Sequence, residues 1–169
     1  HPHGGTLRID AMVIDSGDGG HSDIVNRFTR PRFGRRVVSG KGASGFARPF
    51  LQKSGSRGQL WIVGVDSVKS QLYAIVSRGT GIHFSESLDA VFFEQFASET
   101  KVLRHVRGKP QMRFERIQGR RAETLDCCVY GWAARQLINL HPDRRAEELS
   151  SAAAPPQRPS VFRSKWLRN

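Results

Sequence analysis

The chain has 169 residues, 38% of them hydrophobic, which is about one domain's length with enough apolar material for a core. Its 27 Lys and Arg against 15 Asp and Glu give a net charge of +12 and a pI near 11.0, a surface drawn to polyanions and above all to nucleic acid. No apolar run approaches the roughly 20 residues of a membrane span, no signal peptide is visible, and the adjacent Cys127 and Cys128 offer neither a disulfide framework nor a CxxC zinc pair. These features exclude membrane-spanning, disulfide-built and zinc-ribbon classes and make the cytosol the expected compartment. Charge alone leaves a merely solubilising basic surface or a ribosomal-type RNA-binding protein on one side, and a DNA enzyme on the other, equally open.

Residues 7–14 read Leu-Arg-Ile-Asp-Ala-Met-Val-Ile, alternating and then continuously apolar, which predicts a strand entering the interior and ending at Asp15. Ser16-Gly17-Asp18-Gly19-Gly20 is too glycine-rich for a regular element, and Ile24, Val25 and Phe28 then predict a helix over 21–28 that stops before Pro31. A short strand is expected over 35–39, a glycine loop carrying Lys41 over 40–45, and a basic loop with Arg48, Lys53 and Arg57 over 46–58. Residues 60–65 form the next clear strand. Asp66 or Ser67 is a natural N-cap for a helix running to about Arg78.

After a turn through Ile82, His83 and Phe84, residues 89–99 place Val91, Phe92, Phe96 and Ala97 on one helical face. Residues 101–107 and 111–117, joined by Gly108-Lys109-Pro110, alternate apolar and charged positions as a solvent-facing hairpin should. The last helix, about 122–140, carries Leu125, Val129, Trp132, Ala133, Leu137 and Leu140 in a stripe of helical period that suits packing on a sheet. From 143 to 169 the composition turns to Arg, Glu, Ala, Ser and Pro, a flexible basic tail; Phe162, Trp166 and Leu167 among its basic residues form either a docking motif or nothing. The chain thus divides into a domain over 1–142 and a tail over 143–169. It begins with His1 rather than Met, and is read as processed or as an excerpt of something longer.

Strands alternating with helices imply an α/β sandwich whose sites form beyond the carboxyl ends of the central strands. Asp15 lies at such an end, and Asp126 lies in the first turn of the last helix at the edge of its apolar stripe, aimed toward the sheet. Two acids far apart in sequence in so basic a chain point to Mg²⁺-dependent cutting of a phosphodiester backbone. Each also has a plainer reading: Asp15 as the cap of the glycine loop, Asp126 as a carboxylate favoured by the helix dipole. Asp10 is five residues before Asp15, an odd separation that sends its side chain to the other face of the strand. The 40–45 loop fails as a phosphate loop because Lys41 precedes most of the glycines. Lys41 is then either a phosphate contact or an ordinary exposed lysine, and His21, beside Gly20, either a contact to a metal or scissile phosphate or a plain loop histidine.

Five ordered blocks carry a family resemblance. They are Ile14-Asp15-Ser16-Gly17 with Gly20-His21; Lys41-Gly42-Ala43-Ser44; Val63-Gly64-Val65-Asp66-Ser67-Val68-Lys69; His83-Phe84; and Arg121-Ala122-Glu123-Thr124-Leu125-Asp126-Cys127 with Val129-Tyr130. Over roughly residues 7–140 the chain resembles the C-terminal nuclease domain of the large terminase subunits of lambda-type tailed phages. The resemblance implies a ribonuclease H-like mixed sheet flanked by helices, here lacking its first strands, that cuts concatemeric double-stranded phage DNA at packaging. It implies two Mg²⁺ or Mn²⁺ ions held by three acidic positions, of which Asp15 and Asp126 match two and the third lies on a strand upstream of this sequence. Glu123 is then an additional acid behind them, and Lys41, Arg120 and Arg121 are candidate DNA contacts. The implied partners are double-stranded DNA, the terminase small subunit and the portal protein, in the host cytoplasm. The rival expectation is a catalytically inactive, truncated prophage remnant that binds DNA or packaging partners.

Overall fold

A computed structural model describes residues 9–17, 19–54 and 60–139 and scattered positions from 141 to 150. Residues 1–138 form one unit and 139–169 another. The first unit is a mixed α/β fold. Its sheet has the order β1-β2-β4-β3, with β1 (Met12–Asp15), β2 (Val37–Ala43) and β4 (Leu60–Gly64) parallel and β3 (Leu51–Ser54) antiparallel to β4. Because the three parallel strands run the same way, Asp15, Ala43 and Gly64 all end at one edge of the sheet. The register pairs Asp15 with Gly40 and Gly42 with Val63.

Helix α1 (Ser22–Thr29) follows β1 and ends, as expected, ahead of Pro31, after which residues Arg30–Arg35 tighten into a 3₁₀ turn. Two expectations fail beyond it. The Gly-Lys-Gly-Ala stretch is no loop but the second half of β2, and part of the supposed basic loop is β3. Parallel pairing with β1 as far as Gly40 and with β4 from Ser39 to Ala43 supplies its hydrogen bonds, and that outweighs glycine's weak preference for strands.

Helix α2 (Val65–Ser77) begins where expected, but Gly64 is its N-cap; Asp66 sits inside the first turn and accepts from the Gly45 backbone N–H at 2.6 Å. Ser67 Oγ donates to the carbonyls of Gly45 and Phe46 at 3.2 and 3.0 Å, so both side chains anchor the β2–β3 connection rather than cap the helix. Helix α3 (Ala90–Phe96) is shorter than expected, with Asp89 as its cap accepting from Phe92 N at 2.8 Å. It stops before Ser98, and Glu99 opens a separate two-stranded sheet of β5 (Glu99–Val106) and β6 (Lys109–Arg116).

The tight turn of this hairpin is Arg107-Gly108, since Val106 pairs with Lys109; Lys109 and Pro110 belong to β6. The hairpin is largely exposed and is clasped by Glu115, which takes two hydrogen bonds from Arg104 at 2.8 and 2.7 Å and one from Arg113 at 2.6 Å. These guanidinium contacts hold the Glu115 carboxyl down to about 2.

Helix α4 (Glu123–Ala134) buries Leu125, Val129 and Ala133 at four-residue spacing, with Trp132 half-buried beside them. These three meet Val63 of β4 and Val68 and Leu72 of α2 in a single core. The stripe read from sequence therefore packs as expected, although the α-helix ends at Ala134 and gives way to a 3₁₀ turn over Arg135–Leu137; Leu140 is outside the described residues. Cys127 is exposed and Cys128 half-buried, both free thiols. In the second unit Ser150 Oγ donates to the carbonyl of Ala146 at 2.8 Å, one helical turn back. Most of 143–169, with Phe162, Trp166 and Leu167, is outside the described residues, as are Leu7, Asp18 and Arg57. Among the described residues no helix is long and apolar enough to cross a membrane.

Candidate active site

The length of β1 and the face of α4 from Asp126 to Ala134 enclose an open pocket of about 420 Å³, mostly apolar along Met12 to Ile14 and Ala134, with Asp15, Asp126 and Tyr130 among its polar groups. The two acids 111 residues apart (126 minus 15) thus face one space. Their meeting follows from topology: α4 packs along β1, and its first turn ends at the same sheet edge as the strand.

Asp15 is exposed, and its Oδ1 accepts from the Gly17 backbone N–H at 2.8 Å. It does cap the glycine turn, as its plainer reading held, while also lining the pocket. The strand end is fixed from the other side by Ser16, whose N and Oγ donate to Gly40 O at 2.8 and 2.9 Å. Tyr130 is one turn beyond Asp126 and lines the same pocket, with its hydroxyl over Gly42 of β2 and close enough to feel the Asp15 charge. Burial, followed by the Asp15 contact, pushes this phenol above the ordinary tyrosine range, so it stays a proton donor at neutral pH. The ring fits because β2 has no Cβ beneath it: one added at Gly40 would lie 3.3 Å from Tyr130 Cε1, and one at Gly42 3.4 Å from its Oη.

Asp126 has a side chain 51% exposed, less inward than its place beside the apolar stripe suggested. Burial of its inner half raises its pKa; Lys69 and Arg116 act to lower it, while Glu99 and Asp15 raise it further. Lys69 Nζ stands 4.0 Å from Asp126 Oδ1 and 2.7 Å from Glu99 Oε2, with the Lys69 and Glu99 side chains each 9% exposed. Sequence reasoning assigned neither residue a role. Lys69 closes one of the five motif blocks, and Glu99 read as the tail of a helix; only their convergence, 30 residues apart, reveals the pair.

The remaining candidates are scattered. Glu123 is exposed, paired with Arg121 at 3.1 Å, and lines a separate shallow pocket with Phe92 and Cys128. Its own backbone N–H at the helix start, and then Arg121, hold its carboxyl below the ordinary range. His21 is the exposed N-cap residue of α1, its carbonyl accepting from Ile24 and Val25, and it does not line the acid pocket. Lys41 is exposed on β2; strand alternation turns it to the face opposite Gly40 and Gly42, away from Tyr130. Arg120 donates to Ala97 O at 3.0 Å, and with Arg121 it borders a third hollow near Glu94 and Gln95. Among the described residues no cluster of three or more His, Cys, Asp or Glu is placed to hold a metal.

All five motif blocks fall inside the span of a family match. The model for the terminase large subunit gpA endonuclease domain matches residues 1–148. The chain belongs to that family. It is therefore a domain of the phage DNA-packaging nuclease type. No curated protein and no solved structure matches the chain.

Proposed function

We propose that this terminase domain is the metal-dependent endonuclease part of a packaging enzyme that cuts concatemeric double-stranded DNA, with a ribonuclease H-like arrangement of its sheet. The observation that carries the reading is the shared pocket of Asp15 and Asp126 at the carboxyl edge of parallel strands. The donor set fits a hard divalent cation: both groups are carboxylates, and the Asp15 charge opposes ionisation of Asp126 until a cation offsets it. Asp15 and Asp126 would hold Mg²⁺ or Mn²⁺, which when bound supplies positive charge to a phosphate in transfer.

The chain's own groups then have definite work. Gly17 N–H fixes the Asp15 carboxylate, α4 fixes Asp126, and Tyr130 fills the space beside Asp15 over the glycines of β2. The excess of 12 positive charges draws in duplex DNA, with Lys41, Arg120 and Arg121 as phosphate contacts on flanking surfaces. The terminase small subunit and the portal protein are the partners this reading implies, in the bacterial cytoplasm.

A cleavage assay on linear duplex DNA with Mn²⁺ tests it. Activity in the wild-type chain, lost in Asp126→Ala and in Asp15→Ala, is the expected outcome. Cleavage unchanged in Asp126→Ala would defeat the assignment. Salt-sensitive DNA binding without cleavage in the wild-type chain would instead support the non-catalytic remnant.

A further inference from the structure

Three charges of the site are arranged unequally. Lys69 of α2 is buried, and its ammonium touches Glu99 of β5 at hydrogen-bond length but stands at 4.0 Å from Asp126 of α4. A buried ammonium must be paired, because leaving it unpaired costs far more than an ordinary surface charge. Two carboxylates are within its reach, and the one farther from the pocket holds it. Glu99 itself is anchored by its chain, since its carbonyl and that of Phe96 accept from Tyr73 Oη at 3.3 and 3.1 Å.

We propose that Glu99 is a positioning residue of the acid site, holding the Lys69 ammonium off Asp126 so that the Asp126 carboxylate remains available to a cation. The inference rests on the metal-site reading above but concerns a different residue. Without the Glu99 charge, Asp126 is the one carboxylate among the described residues within 4.0 Å of Lys69 Nζ. Lys69 would close the gap to a direct hydrogen bond, occupy the carboxylate and compete with the cation. Lys69 is thus a potential internal inhibitor of the site, and Glu99 is its restraint.

Two measurements on the full chain decide the matter. The first needs no metal: urea denaturation of wild type, Asp126→Asn, Glu99→Gln and the double variant. Asp126→Asn should leave the wild-type midpoint unchanged or higher, yet lower it clearly in the Glu99→Gln background, where it removes that remaining carboxylate. Additive effects would overturn the proposal.

The second is Mn²⁺ binding followed by electron paramagnetic resonance. Glu99→Gln should weaken binding by about tenfold, the order expected when a charge-assisted hydrogen bond must be displaced. Glu99→Asp should recover part of the loss, and Lys69→Met with Glu99→Gln all of it. A purely structural Glu99 has no reason to be rescued by removing Lys69, so a double variant as weak as Glu99→Gln would also overturn the proposal. Equal Mn²⁺ binding by wild type and Asp126→Asn would fault the metal-site reading itself. The metal-free cycle then still reports whether Glu99 restrains Lys69.

Discussion

Tyr130 of helix α4 and Asp15 at the end of β1 line one pocket, and the Asp15 charge adds to burial in raising the Tyr130 phenol, so one acid of the pocket acts on the helix that carries the other. Asp126 and Tyr130 are four residues apart and so lie on one face of α4. Tyr130→Phe keeps the ring and removes the hydroxyl. The expected loss is about 0.5–1.5 kcal/mol of stability, together with weaker Mn²⁺ binding because Asp15 loses the polar hydroxyl beside it. Denaturation and metal titration side by side check this; unaltered metal binding would show that the hydroxyl serves packing alone.

Gly40 and Gly42 make room for that tyrosine to different degrees. A Cβ at Gly40 would meet Val13 Cγ1 at 2.5 Å, whereas at Gly42 the nearest atom is Val65 Cγ1 at 3.1 Å. Gly40→Ala is therefore expected to cost about 1–3 kcal/mol by overpacking, and Gly42→Ala less. Equal denaturation midpoints for the two variants would contradict the slot geometry.

The pH dependence of stability should carry the mark of Asp126. Its folded pKa is raised, chiefly by burial, so its anion is disfavoured in the folded chain relative to the unfolded one. That penalty is complete above the raised pKa and vanishes below the ordinary carboxylate value. Asp126→Asn, which has no anion, should gain on wild type at neutral pH, with the gain fading as pH falls through the carboxylate range. Thermal melts across that range measure it, and a gain that grows on acidification would have the wrong sign.

Arg107 and Gly108 form the two-residue hairpin turn with φ of 51° and 75°. Paired positive φ values suit Asn-Gly, and a longer side chain at the first position bears a backbone cost. Arg107→Asn should raise stability by about 0.5–1 kcal/mol, read as a higher melting temperature; a lower one would mean that the Arg107 side chain makes contacts outweighing the turn.

Much of the chain was legible from local pattern. The end of β1 at Asp15, the β4–α2 junction and the buried stripe of Leu125, Val129 and Ala133 each show in the period of their apolar residues, because a strand or helix must turn one face inward. The two candidate acids were found for the same reason: each marks the end or start of such an element. The motif order then pointed to the family that the whole-domain match shows.

What local pattern could not decide was set by partners distant in sequence. Gly40-Lys41-Gly42-Ala43 reads as a loop by composition and is a strand because β4 pairs with all of it and Tyr130 roofs its glycines. Asp66 reads as a cap and instead anchors Gly45 across 21 residues. The meeting of Lys69, Glu99 and Asp126 comes from three elements that no spacing rule connects. Periodicity records which face of an element is buried; it holds no record of which other element buries it, and the electrostatics of this site depend on that second fact.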